Sequence, residues 1–106
     1  IVCGFNAEEA QTFPDNSPEF VRRCDSMLEL GTRNRPRIHS PTLDLTKREI
    51  AALGVELGAP LHLTWSCYGD GHTHCWTCPS CRRLKSALTE SGHWEQWVEQ
   101  TGAPDG

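Results

Sequence analysis

Thr64-Trp65-Ser66-Cys67-Tyr68-Gly69-Asp70-Gly71-His72-Thr73-His74-Cys75-Trp76-Thr77-Cys78-Pro79-Ser80-Cys81 is the stretch on which the reading of the whole chain turns. Its cysteines fall as Cys67-x7-Cys75-x2-Cys78-x2-Cys81. A Cys-x2-Cys pair lets two thiolates meet one metal across a tight turn, and tetrahedral zinc takes four such ligands at about 2.3 Å. Gly69 and Gly71 allow the longer gap to double back. Pro79 can begin a helix that carries Cys81. Four cysteines filling four positions predict a closed, structural zinc site, because a catalytic zinc keeps one position open for water. Two rivals stand beside zinc. Cys75-x2-Cys78-x2-Cys81 opens the spacing of a bacterial ferredoxin, with Cys67 in place of the missing fourth cysteine. Disulfides are the other, in an oxidising compartment. His72 and His74 sit in the same loop and could compete as ligands, but with four thiolates present they are expected around the site or in solvent. Cys3 and Cys24 fall on expected apolar faces and read as small core residues.

Outward from that loop, the chain is short and poor in apolar residues. Of its 106 residues, 20 are Leu, Ile, Val or Phe, enough for one small core only. The net charge is −4, too modest for a disordered acidic chain. No apolar run approaches the roughly 20 residues of a membrane span, the first residues lack the basic flank and long apolar stretch of a signal peptide, and no repeat or low-complexity tract is present. The acidic balance argues against a nucleic-acid footprint, although Arg33, Arg35, Arg37, Lys47 and Arg48 make the middle basic. The apolar start, Ile1-Val2-Cys3-Gly4-Phe5, reads as a strand entered mid-domain, so the chain is expected to be a fragment.

Local signals give an alternating order. Residues 1–5 predict a buried parallel strand. Ser17-Pro18 predicts an N-cap and first helical position, with Phe20, Cys24, Met27 and Leu28 at helical spacing and Gly31 as the stop. Residues 37–40 predict a second strand, closed by Pro41. Thr46-x-x-Glu49 forms a capping box, Ile50, Leu53 and Leu57 mark one face, and Gly58 with Pro60 ends that helix. A helix is predicted from Pro79 to Ser91 with Leu84, Ala87 and Leu88 inward, followed by a short one with Trp94, Trp97 and Val98 on one side. Strand–helix–strand–helix predicts an α/β unit with parallel strands.

The Thr64-Trp65-Ser66-Cys67-Tyr68 run, with the three cysteines that follow, resembles the zinc-binding segment of the 7-cyano-7-deazaguanine synthase (preQ0 synthase) family. Gly4-Phe5-Asn6-Ala7-Glu8-Glu9-Ala10 and Thr12-Phe13-Pro14-Asp15-Asn16-Ser17-Pro18-Glu19-Phe20 are similar to its substrate-side segment. Lys47-x-Glu49-Ile50-x-x-Leu53-Gly54-x-x-Leu57-Gly58-x-Pro60 resembles a motif shared with other PP-loop ATP-dependent synthetases. The likeness covers about residues 1–92. It implies a doubly wound parallel-sheet, adenine-nucleotide α-hydrolase-like fold, with residues 1–62 in the C-terminal part of the α/β synthetase domain and residues 63–106 forming the zinc loop and C-terminal helices. It implies ATP-dependent conversion of 7-carboxy-7-deazaguanine and ammonia to 7-cyano-7-deazaguanine, for queuosine or archaeosine modification of tRNA. ATP with Mg²⁺ is the implied cosubstrate and one four-cysteine zinc the cofactor. A homodimer in the cytoplasm, without direct nucleic-acid or membrane contact, completes the expectation. The family's Ser-Gly-Gly-x-Asp-Ser phosphate loop is absent from these residues, so this chain alone is expected to be inactive.

Residue roles follow from the same likeness, each beside a plainer one. Lys47 is the implied catalytic cation on phosphate; otherwise it is a solvated first-turn residue. Asn6, Glu8, Phe13, Asp15, Asn16, Glu19, Trp65 and Ser66 are the implied substrate contacts. Capping, turn formation and packing are the ordinary alternatives for these eight. Cys67, Cys75, Cys78 and Cys81 are the metal ligands. Two further functions compete. One is a relative acting in DNA modification or antiviral defence. The other is a small zinc-ribbon-like binding module, which the acidic balance and the elements before the cysteines disfavour.

Overall fold

A computed structural model describes residues 1–103; the expected segment 63–106 ends in three residues that lie outside them. The chain divides into two compact units, Ile1–Thr46 and Lys47–Gly106. Among the described residues four α-helices run in order: α1 Pro18–Gly31, α2 Lys47–Glu56, α3 Pro79–Glu90 and α4 Trp94–Thr101. Single 3₁₀ turns lie at Glu9–Gln11, Pro14–Asn16 and Leu61–Leu63.

The expected parallel sheet is not there, and the doubly wound α/β fold is overturned with it. Among the described residues no strand forms, and the two predicted strands meet only in an isolated parallel bridge between Val2 and His39. Cys3 N–H donates to His39 O (2.9 Å) and His39 N–H to Ile1 O (2.8 Å). The ladder stops where Phe5 N–H turns to the Ser40 hydroxyl (3.1 Å) instead of a backbone carbonyl. Parallel strands persist when both faces are covered, and here Val2 is 76% exposed. An apolar run reads as a buried strand only if its burying neighbours exist.

The helices follow their local signals. Ser17 caps α1 by accepting from Phe20 N–H (3.2 Å), and Pro18 takes the first position, where a missing N–H costs nothing. In unit Ile1–Thr46 the one buried residue is Asn6, whose Oδ1 accepts from Glu9 N–H (2.9 Å) and so starts the first 3₁₀ turn. Phe5 and Phe20 meet edge to face at 6.3 Å. Cys3 and Cys24 are half-buried.

α2 begins one residue after Thr46 and closes on Gly58, whose φ of +73° supplies the left-handed stop. Its buried face is not the predicted one. Ala51 is buried while Leu57 is 74% exposed. Gly54 turns toward Leu61, so closely that a Cβ there would lie 2.9 Å from Leu61 Cδ2. In unit Lys47–Gly106, Ala51, Ala87, Leu88 and Trp97 form the core, with Leu61, Trp76, Leu84, Trp94 and Ala103 packed on it. Pro79 starts α3 with Cys78 as its N-cap, and Gly92 (φ +79°) separates α3 from α4. No helix among the described residues is long and apolar enough to cross a membrane.

Candidate metal centre

The Sγ atoms of Cys67, Cys75, Cys78 and Cys81 all lie within 4.8 Å of one another. Zinc–sulfur bonds of about 2.3 Å in a tetrahedron place sulfurs about 3.8 Å apart. A single ion therefore fits; an iron–sulfur cluster would hold its cysteines farther apart. All six cysteines are free of disulfides.

The loop also supplies each sulfur with a hydrogen-bond donor. Gly69 N–H donates to Cys67 Sγ (3.3 Å). Thr77 N–H (3.4 Å) and Cys78 N–H (3.2 Å) donate to Cys75 Sγ, the turn that a Cys-x2-Cys spacing makes. Cys81 N–H donates to Cys78 Sγ (3.4 Å) and the Ser66 hydroxyl to Cys81 Sγ (3.5 Å). Donors aimed at sulfur favour thiolate over thiol. Hydrogen bonds from Thr77 and from the Cys78 amide hold Cys75 down at about 5, and the Tyr68 and Cys81 amides lower Cys78. Cys78 also benefits from the positive end of α3. Burial pushes Cys81 up, and a bound cation deprotonates a coordinating thiol outright. The donor set thus fits a structural zinc.

Around the sulfurs lies an aromatic stack that the sequence reading missed. The His74 ring sits between Trp65 (4.6 Å) and Trp76 (4.8 Å), with the edge of Trp97 at 6.0 Å. Trp76 meets Trp94 edge to face at 5.1 Å, and Lys85 Nζ lies 4.9 Å from the Trp94 ring. His74 Nε2 accepts from Ser66 N–H (3.2 Å), so the ring proton belongs on Nδ1 and Nε2 is engaged away from the metal. Burial holds His74 below the ordinary imidazole value, which keeps it neutral at pH 7. No local spacing signals this stack; it forms where the loop brings Trp65 and Trp76 onto the His74 ring.

The expected site residues fall into two groups. Ser66 is tied into the metal loop through both its amide and its hydroxyl. Trp65 donates its indole N–H to Cys67 O (2.8 Å) yet leaves its ring half exposed. Lys47 is the first residue of α2 in the same unit. In the other unit, Asn6 precedes the first 3₁₀ turn, Glu8 and Phe13 stand at the N-cap positions of the two turns, Asp15 and Asn16 lie on the second, and Glu19 lies in the first turn of α1. Asn6 Oδ1 accepts from Glu9 N–H, Asn16 Nδ2 donates to Asp15 Oδ1 (3.1 Å), and Phe13 is exposed. Glu19 accepts from Arg23 Nε (2.8 Å) and pairs with Arg22, which lowers its carboxyl.

The chain is 55% identical over 87 residues to the 7-cyano-7-deazaguanine synthase of Carboxydothermus hydrogenoformans, covering 82% of this chain and 40% of that protein. It is 49% identical over 92 residues to that of Desulforudis audaxviator (87% and 42%), and 44% over 95 residues to that of Methanothrix thermoacetophila (87% and 42%). The chain thus spans about two-fifths of the length of the curated relatives it matches. No solved structure matches it. The profile described as Queuosine biosynthesis protein QueC matches residues 1–92, which takes in the metal loop and most of both units, and the chain belongs to that family.

Proposed function

We propose that this chain is the cysteine-bearing portion of a 7-cyano-7-deazaguanine synthase. The observation that carries this is the identity of 44–55% to synthases of that name, over a stretch that contains the converged cysteines. The reaction consumes 7-carboxy-7-deazaguanine, ammonia and ATP with Mg²⁺. ATP activates the carboxylate, ammonia displaces the activating group to form an amide, and a second activation carries off the amide oxygen to leave the nitrile. Residues 1–62 belong, on this reading, to the synthetase domain, and residues 63–106 are the zinc loop and its helices. The zinc supplies no chemistry to the reaction; it fixes the loop that carries Trp65.

Each site residue then has a task suited to its chemistry. Lys47 offers a point charge to phosphate. Asp15 and Glu19 can accept from the amino and ring N–H groups of a guanine-like edge, with Asn16 and Asn6 as amide partners and Glu8 as a further acceptor. Phe13 and Trp65 present rings on which a flat heterocycle can stack. Ser66 acts through the loop it ties together. A cytoplasmic homodimer without direct nucleic-acid contact accompanies the reading; the net charge of −4 supports the last point.

The test is direct. The complete gene product, given 7-carboxy-7-deazaguanine, ATP, Mg²⁺ and ammonium, should yield the nitrile by mass spectrometry, while residues 1–106 alone should not, for want of a phosphate loop. Asp15→Asn in the complete protein should raise KM for the acid by about tenfold, as loss of a hydrogen bond to the heterocycle would. A complete gene product that leaves the acid unchanged overturns the proposal.

A further inference from the structure

His74 sits in the middle of a run of contacts that leads from the core of unit Lys47–Gly106 to its surface. At one end is Trp97, 2% exposed and part of the core. Its edge meets the His74 ring at 6.0 Å. Trp76, packed on the same core, covers the His74 ring at 4.8 Å and 20°. At the other end Trp65, 53% exposed, lies 4.6 Å from the same ring. The next residue, Ser66, donates its N–H to His74 Nε2 (3.2 Å). The imidazole thus grips residues 65 and 66 together, one with its ring and the other with a nitrogen. None of these contacts uses an atom that binds the metal.

An exposed tryptophan ordinarily has several rotamers open to it. Here the indole N–H of Trp65 is engaged by Cys67 O (2.8 Å) and the imidazole closes on its ring, which together select one orientation. Trp65 and His74 also line a cavity of about 450 Å³, within the range of about 300–1,000 Å³ of small-molecule sites. A side chain that is loose before binding and fixed after it weakens the complex, and one already held in place does not. We propose that His74 is a positioning residue for the synthase reaction: it touches no reacting atom, and by stacking on Trp65 and tying Ser66 it holds the Trp65 ring still for the flat heterocycle of the substrate. This rests on the stacking role given to Trp65 in the proposed function. The plainer role is packing alone, and the two differ in what they do to kinetics.

Kinetics of the complete gene product test this, with 7-carboxy-7-deazaguanine as the varied substrate. His74→Gln keeps an acceptor for Ser66 N–H and removes the ring. It should raise KM for the acid about fivefold, the effect of one side chain ordered on binding, with kcat, KM for ATP and zinc content unchanged. His74→Phe puts a ring back between the tryptophans and should bring KM to within about twofold of the wild type. Trp65→Ala should raise the same KM, and adding His74→Gln to it should change nothing further, because a residue that acts through Trp65 then has nothing to hold. An unchanged KM in His74→Gln overturns the proposal, as do additive losses in the double variant or loss of zinc. If the complete wild-type protein makes no nitrile, the proposed function fails and the Trp65 ring still answers for itself. Its indole N–H, followed by ¹⁵N NMR, should exchange with solvent about fivefold faster in His74→Gln, and an unchanged rate overturns the positioning role.

Discussion

Unit Lys47–Gly106 buries Leu88 and Trp97 almost completely and gathers four sulfurs beside them, whereas in Ile1–Thr46 only Asn6, a polar residue, is buried. The two reach order by different means. The first has an apolar core and a metal site. The second is arranged by caps and turns: Asn6 on Glu9, Ser17 on Phe20, Thr42 Oγ1 on Phe5 O, Asp25 on the Ile38 amide. Each such bond contributes about 1 kcal/mol net, while a filled structural zinc site contributes of order 10 kcal/mol. Substitutions should therefore hurt the two units to very different degrees.

The widest gap should appear on removing the metal. Chelation, or Cys81→Ser, should unfold the loop from Cys67 to Cys81 and loosen α3, a loss of order 10 kcal/mol in the zinc-linked free energy. Hydrogen exchange should then rise across Lys47–Ala103 while the amides of α1 keep their protection. Uniform loss across both units would break the contrast. Next in size, Leu88→Ala should cost about 2–5 kcal/mol in denaturant unfolding of the zinc-loaded chain, the range for a large side chain truncated in a packed core. Ser17→Ala should cost about 1 kcal/mol through loss of the α1 cap, seen as fraying of α1 in circular dichroism. Smallest of all, Glu19→Gln should leave the thermal midpoint unchanged. Its pairs with Arg22 and Arg23 are exposed and screened. Because Glu19 titrates below its ordinary value, the little its pairs contribute is present near neutral pH and fades as acid protonates it.

What could be read in advance divides along the same line. Ser17-Pro18, Gly58, Pro79 and the cysteine spacing act within a few residues of themselves, so they placed α1, α2, α3 and the metal ligands. The buried face of α2 was misread because Leu57 and Ala51 differ in what packs on them, not in periodicity. The strands were misread for a similar reason. Ile1 to Phe5 looks buried only if something covers it, and a parallel partner is never local. At the site, cysteine spacing revealed the metal ligands, but the ring stack on His74 depends on where a loop closes, which spacing alone does not encode.

Trp76 carries a consequence for how the protein comes together. It is a bulky residue held at φ +57°, between a metal ligand and its hydrogen-bonding neighbour. A left-handed backbone costs a side-chain-bearing residue about 1–2 kcal/mol. Sulfurs drawn to one ion hold the turn closed against that cost; before the ion arrives, the turn relaxes and His74 loses the ring beneath it. Assembly therefore has a sequence in time, with metal capture preceding the setting of the aromatic stack. Indole emission should lag behind zinc uptake during maturation.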